Sequence, residues 1–176
     1  MTHRIRRAAV LATLASFGAV PAIAVAMAAD PIPDSRYAGV TSQRGDLRFE
    51  FRTSADGSAA ERIFTQFRAR NCERAQKGTQ GSIRVADAAI ADGVFSARGK
   101  ERAKIPASGS FAGGTQVERY RIRGHFASGD LAKGSLRVTV VVRNKAGDVI
   151  DTCTTGDKAV KWSSDRLGVD PDSATE

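Results

Sequence analysis

The sequence predicts an all-β fold, an antiparallel β-sandwich that is largely a meander and carries one disulfide. A closed antiparallel β-barrel is the alternative arrangement. Three observations lead there. Apolar residues recur with a period of two over several stretches, as on strands with one buried face. Turn signals interrupt them every 8–15 residues or so. The chain has only two cysteines, Cys72 and Cys153, an isolated pair that reads as one structural bridge in an oxidising compartment and as two unpaired buried thiols otherwise.

That compartment is argued from residues 1–28, read as an export signal. Arg4, Arg6 and Arg7 give a positive start, Ala8 to Val20 is mostly apolar, and Ala26-Met27-Ala28 is the small-x-small pattern of a cleavage site. Cleavage would leave Ala29 as the new N-terminus and a secreted, extracellular protein with no further membrane span. The alternative is an uncleaved N-terminal anchor, since Ala8 to Ala29 is marginally long enough to cross a bilayer. Of the formal charge of +8, the three signal arginines account for three, so the mature chain stays modestly basic. It favours polyanionic surfaces without requiring one.

Residues 29–35 read as a flexible leader, 36–167 as the β-domain and 168–176 as a flexible tail. Leu47, Phe49 and Phe51 alternate with Arg48, Glu50 and Arg52 in the first clear strand. Asp56-Gly57 then supplies the positive-φ positions of a tight turn. Ile63, Thr65, Phe67 and Ala69 share a side, with Phe64 on the polar side, which suggests a bulge or a partly covered outer face. Glu73 to Gly81 reads as polar and turn-like, followed by strands at Ile83–Val85 and Val94–Ser96. The segment Arg98 to Ile105 is the one helix candidate and reads better as an exposed loop. Tyr120, Ile122, Gly124 and Phe126 alternate with Arg119, Arg121, Arg123 and His125. Leu136, Val138, Val140 and Val142 lie opposite Arg137, Thr139, Val141 and Arg143. Asn144 to Asp148 is a hairpin loop before Val149–Cys153, and a last strand around Ala159 to Ser163 carries Trp162.

A glycine two residues before a phenylalanine recurs at Gly93/Phe95, Gly109/Phe111 and Gly124/Phe126. On a strand such a glycine leaves room for a neighbouring aromatic ring; chance in a glycine-rich chain is the competing explanation. Tyr37, Gly39, Thr41, Ser42 and Gln43 near the start, Gly93, Phe95 and Ser96, then Gly124 and Phe126, and Cys153, Gly156 and Trp162 near the end give a pattern. It resembles that of uncharacterised secreted actinobacterial β-sandwich-like proteins. The resemblance spans most of the mature chain and implies a sandwich-like fold and a Cys72–Cys153 bridge. It brings no activity and no site residue with it.

Catalytic chemistry is poorly supplied. His125 is the single histidine outside the signal, on a strand face whose arginines oppose the imidazolium a general base must form. The acids Glu50, Glu61, Glu101 and Glu118 are scattered, and spacing cannot pair them for glycoside hydrolysis. No metal-ligand pattern, cofactor motif or phosphate cradle is present. The sequence therefore points to a non-enzymatic structural or interaction domain, with no cofactor and no metal. The alternative is an extracellular module for an anionic polymer (teichoic acid, acidic glycan or DNA) on the cell surface. Its candidate residues are Arg119, Arg121 and Arg123, with Arg137 and Arg143 on an adjacent strand. Alternate arginines would repeat every ~7 Å along one face, and guanidinium pairs with phosphate oxygens in a fork. The competing reading is a solvated, charged face that discourages aggregation.

Overall fold

The computed structural model describes residues 28–43, 46–74, 78–105 and 112–169, and none of them is helical. The export-signal reading of residues 1–27, the Gly109/Phe111 pair and the tail from residue 170 lie outside the described residues. Ten strands form: β1 (Ser35–Thr41), β2 (Arg48–Thr53), β3 (Ala59–Ala69), β4 (Asn71–Cys72), β5 (Thr79–Ala91), β6 (Val94–Lys104), β7 (Thr115–Ser128), β8 (Leu131–Arg143), β9 (Val149–Thr154) and β10 (Val160–Val169). All pairings are antiparallel. The order β10-β1-β2-β3-β5-β6-β7-β8 closes because β8 also pairs with β10. The bonding is thus ring-like, as in the closed arrangement, rather than divided between two separate sheets. Strand β8 makes this possible by splitting its length: Leu131–Leu136 face β10 and Thr139–Arg143 face β9. The two-residue β4 pairs with β9, setting Cys72 directly opposite Cys153, and the two are disulfide-bonded.

Side chains on the inner face of the ring fill it with aromatic rings. Phe49 stacks on Trp162 at 3.8 Å and Tyr37 on Phe51 at 4.8 Å, with Phe126 edge-on to Tyr37 and Phe95 tilted against Phe126. All six are at most 3% exposed. Such pairs add to the burial term when offset or edge-to-face. The buried Tyr37 hydroxyl donates to the Gly129 carbonyl.

Two glycines facing each other across β7 and β8, Gly124 and Gly134, admit these rings. A Cβ at Gly124 would fall 2.3 Å from Phe95 Cζ, and one at Gly134 would fall 2.3 Å from Trp162 Cζ2. The glycine–phenylalanine recurrence therefore has a packing meaning at Gly124. It has a different one at Gly93, which with Asp92 adopts positive φ (+68° and +50°) in the two-residue turn between β5 and β6, the backbone a tight hairpin needs.

Several local expectations change. Arg98 to Ile105 is not a loop: residues up to Lys104 belong to β6, paired with β7 along its whole length. The inward positions Gly99, Glu101 and Ala103 carry no large apolar group, which hid the strand. Thr79–Gly81, read as turn, opens β5, and Ser35, assigned to the leader, begins β1 fully buried. In the turn between β2 and β3 only Gly57 has positive φ (+74°). Asp56 instead accepts from the Ser58 N–H and from the Ser54 and Ser58 hydroxyls, which lowers its carboxyl to about 2. The bulge in β3 lies at Arg62 (φ +50°), where the β2 register shifts. Phe64 is then outward and half-buried, with the Arg84 guanidinium 5.1 Å from its ring centroid.

Candidate anion-binding face

Strands β6, β7 and β8 run side by side, and their outward positions carry ten of the chain's 27 lysines and arginines. Strand β6 contributes Arg98, Lys100, Arg102 and Lys104; β7 contributes Arg119, Arg121 and Arg123; β8 contributes Lys133, Arg137 and Arg143. Registration sets them in rows. Arg98, Arg121 and Arg137 are directly opposite one another across the three strands, and Lys100 faces Arg119. The acids of these strands, Glu101 and Glu118, occupy the inner parity. Among the described residues none of these ten cations has an ion-pair partner. The five arginines singled out in the sequence thus share one face. The four β6 cations were missed, although the alternation in Arg-Gly-Lys-Glu-Arg-Ala-Lys was the signal that could have found them.

One part of this face is concave. Lys100, Arg102, Arg119 and Arg143 surround a pocket of about 280 Å³ whose floor is Val117 and Val141, closed on one side by Gly147 of the β8–β9 hairpin. These two valines point outward yet are only 5% and 8% exposed, because the cations' aliphatic stems cover them. The Arg143 guanidinium is held by donating to the Gly147 carbonyl at 2.8 Å. His125 lies further along β7, exposed, opposite Val94 and Lys133.

On the inner parity the structure brings together two acids that spacing could not pair. Glu101 and Glu118 are direct cross-strand neighbours. Glu101 accepts from the Arg84 N–H across the gap between β5 and β6, and Glu118 accepts from Gln116 Nε2. Glu118 is 7% exposed, close to Gly81 and the Phe67 ring, and so is shielded from a substrate. Burial holds its carboxyl above the ordinary value of 4.5; Glu101 adds to this and the Gln116 hydrogen bond opposes it. The folded protein therefore binds this proton more tightly than the unfolded chain does. The stabilising contribution is complete below the ordinary value and is lost as pH rises through the folded one. Glu118→Gln is expected to be more stable than the native protein at neutral pH and to lack this decline, as thermal melts from about pH 4 to about pH 8 will show.

Cys72, Asp151 and Cys153 are the one grouping of potential metal ligands among the described residues. Both sulfurs are committed to the disulfide, so no thiolate is on offer. Comparison with protein-family models, with curated proteins and with solved structures finds no match.

Proposed function

We propose that this is a non-enzymatic extracellular domain that binds a linear anionic polymer through the outer face of β6, β7 and β8. The observation that carries the reading is the row Arg98–Arg121–Arg137, three like charges directly opposite one another with no acid between them. Like charges at opposed positions destabilise a sheet. A charged edge that discourages aggregation is a sufficient reason for cations on β6, whose far side pairs with β5 only at Phe95 and Val94. It is no reason for arginines on β7, which is paired on both sides. A polyanion would relieve that repulsion, and the pocket beside Arg119 gives one anionic group a concave seat.

Replacing Arg121 by Glu is expected to weaken binding to a polyphosphate or teichoic-acid matrix about tenfold or more, from the loss of a charge-assisted contact. Arg36→Glu, on β1 three strands away round the ring, makes the same change in net charge and should act far less. Fold stability should move by no more than about 0.5 kcal/mol for a surface change of this kind. Equal losses from the two substitutions would leave only a nonspecific charge effect and the structural-domain reading.

Export is part of the proposal. It is supported by the Ala-x-Ala sequence, by the disulfide, and by the motif resemblance to secreted actinobacterial proteins. No helix among the described residues is long and apolar enough to cross a membrane. Cleavage after Ala28 would also leave Ala29 seated, because its nitrogen donates to the Phe126 carbonyl at 2.8 Å. Mass spectrometry of the protein from culture medium is expected to show Ala29 as the first residue; a chain retaining Met1 in the cytosol would refute export.

A further inference from the structure

Next to the arginine face the outer surface of β7, β8, β10 and β1 is hollowed into an open groove of about 1370 Å³. Its wall carries two registered rows, the first alternating cations with hydroxyls and the second, of His125, Lys133 and Ser163, flanked by the exposed Val94 and Val40. In one, Arg123 faces Ser135, which faces Lys161; in the other, His125 faces Lys133, which faces Ser163. Ser42 extends the first row, its hydroxyl accepting from the Lys161 N–H. Phe126 and Trp162 border the groove, but their side chains are 0% and 3% exposed, which leaves the His125 imidazole as its exposed ring. Asp30 and Asp92 lie on its rim near the leader. Arg123 belongs both to the groove and to the β7 arginine track, so the two are continuous.

Cations interleaved with hydroxyls suit a ligand that itself interleaves anionic groups and hydroxyls. Nucleic acid gains affinity on such surfaces by stacking successive bases on several aromatic rings, and the groove presents the single His125 imidazole. Along β7 alternate residues lie about 7 Å apart, so Arg119, Arg121 and Arg123 match the repeat of a three-carbon polyol between phosphates, whereas across the strands Arg123 and Lys161 stand about 10 Å apart with Ser135 between them. Resting on the polyanion reading above, the geometry points to a narrower assignment: the groove is a recognition subsite for a repeat of a linear polyol phosphate, whose chain continues over Arg123, Arg121 and Arg119. The carboxylates of Asp30 and Asp92 keep its phosphates at the Arg123 and Lys161 end.

The test titrates the protein with a synthetic glycerol phosphate oligomer and with an oligothymidylate of equal charge. The native protein is expected to prefer the glycerol phosphate oligomer at least tenfold. Lys161→Gln should reduce that preference to within about twofold, whereas Arg121→Glu should weaken both probes and keep it. Equal affinity of the native protein for the two probes, or an undiminished preference in Lys161→Gln, would overturn the groove assignment while leaving the polyanion face intact. Failure of both probes to bind at low salt would overturn both.

Discussion

Replacing Cys72 and Cys153 together by alanine is expected to cost about 3–5 kcal/mol of stability. The bridge closes a span of 81 residues, for which the chain-entropy account gives about 4.5 kcal/mol. Position adds to the loss. Strand β4 is two residues long, and apart from it and the Glu73 and Arg74 N–H groups that donate to Thr152 and Asp151, β9 pairs with only one end of β8. Cys153 is also 2% exposed within the core, so its removal takes away packing as well. Urea unfolding of the double variant against the oxidised native protein measures the difference, and amide exchange should show β9 opening first. A change below about 1 kcal/mol would mean that the ladder alone holds this flap and that the bridge is incidental.

Trp162→Ala is expected to cost about 3–5 kcal/mol. The indole stacks on Phe49, touches Phe51 and Phe95 edge-on or tilted, and rests against the Gly134 backbone, so its loss leaves a cavity in the middle of the aromatic core. Trp162→Phe should be far milder, about 1.5 kcal/mol or less as for other volume-near apolar exchanges. The reason is specific to this site. Trp162 Nε1 is buried with no hydrogen-bond partner among the described residues, so the phenylalanine forfeits no hydrogen bond and removes a desolvated donor. Circular dichroism in urea reads both variants, since fluorescence of the chain's single tryptophan vanishes with the substitution. Equal costs for the two would contradict the account of Nε1.

What the sequence made legible follows from how each strand earns its place. Strands β2, β7 and β8 alternate large apolar groups with charged ones, and Phe49, Ile122 and Val138 are all inward as that period requires. Strand β6 has the same period in its charges, but its inner residues Gly99, Glu101 and Ala103 are small or polar, so a search for apolar alternation passes over it. The ring closure was legible only as an alternative, because the pairing of Trp162 with Gly134 joins strands separated by all of β9. Similarly, the proximity of Glu101 to Glu118 and the alignment of Arg98 with Arg121 depend on register between β6 and β7, which no one strand encodes. The arginines themselves were visible; what spacing could not show was that the carboxylates of β6, β7 and β8, Glu101 and Glu118, both lie on the inner parity.

On the proposed function, the arginine face binds a polyanion by neutralising several of its charges at once. The most direct test is the salt dependence of binding between the native protein and a polyol phosphate chain. With four or five cations engaged, log K plotted against log salt should fall with a slope of about −3 or steeper, since single-stranded polyanions give roughly 0.7 for each neutralised phosphate. The Arg121→Glu variant should flatten that slope by about one unit or more. A native slope near zero, or no binding at low salt, would contradict the account.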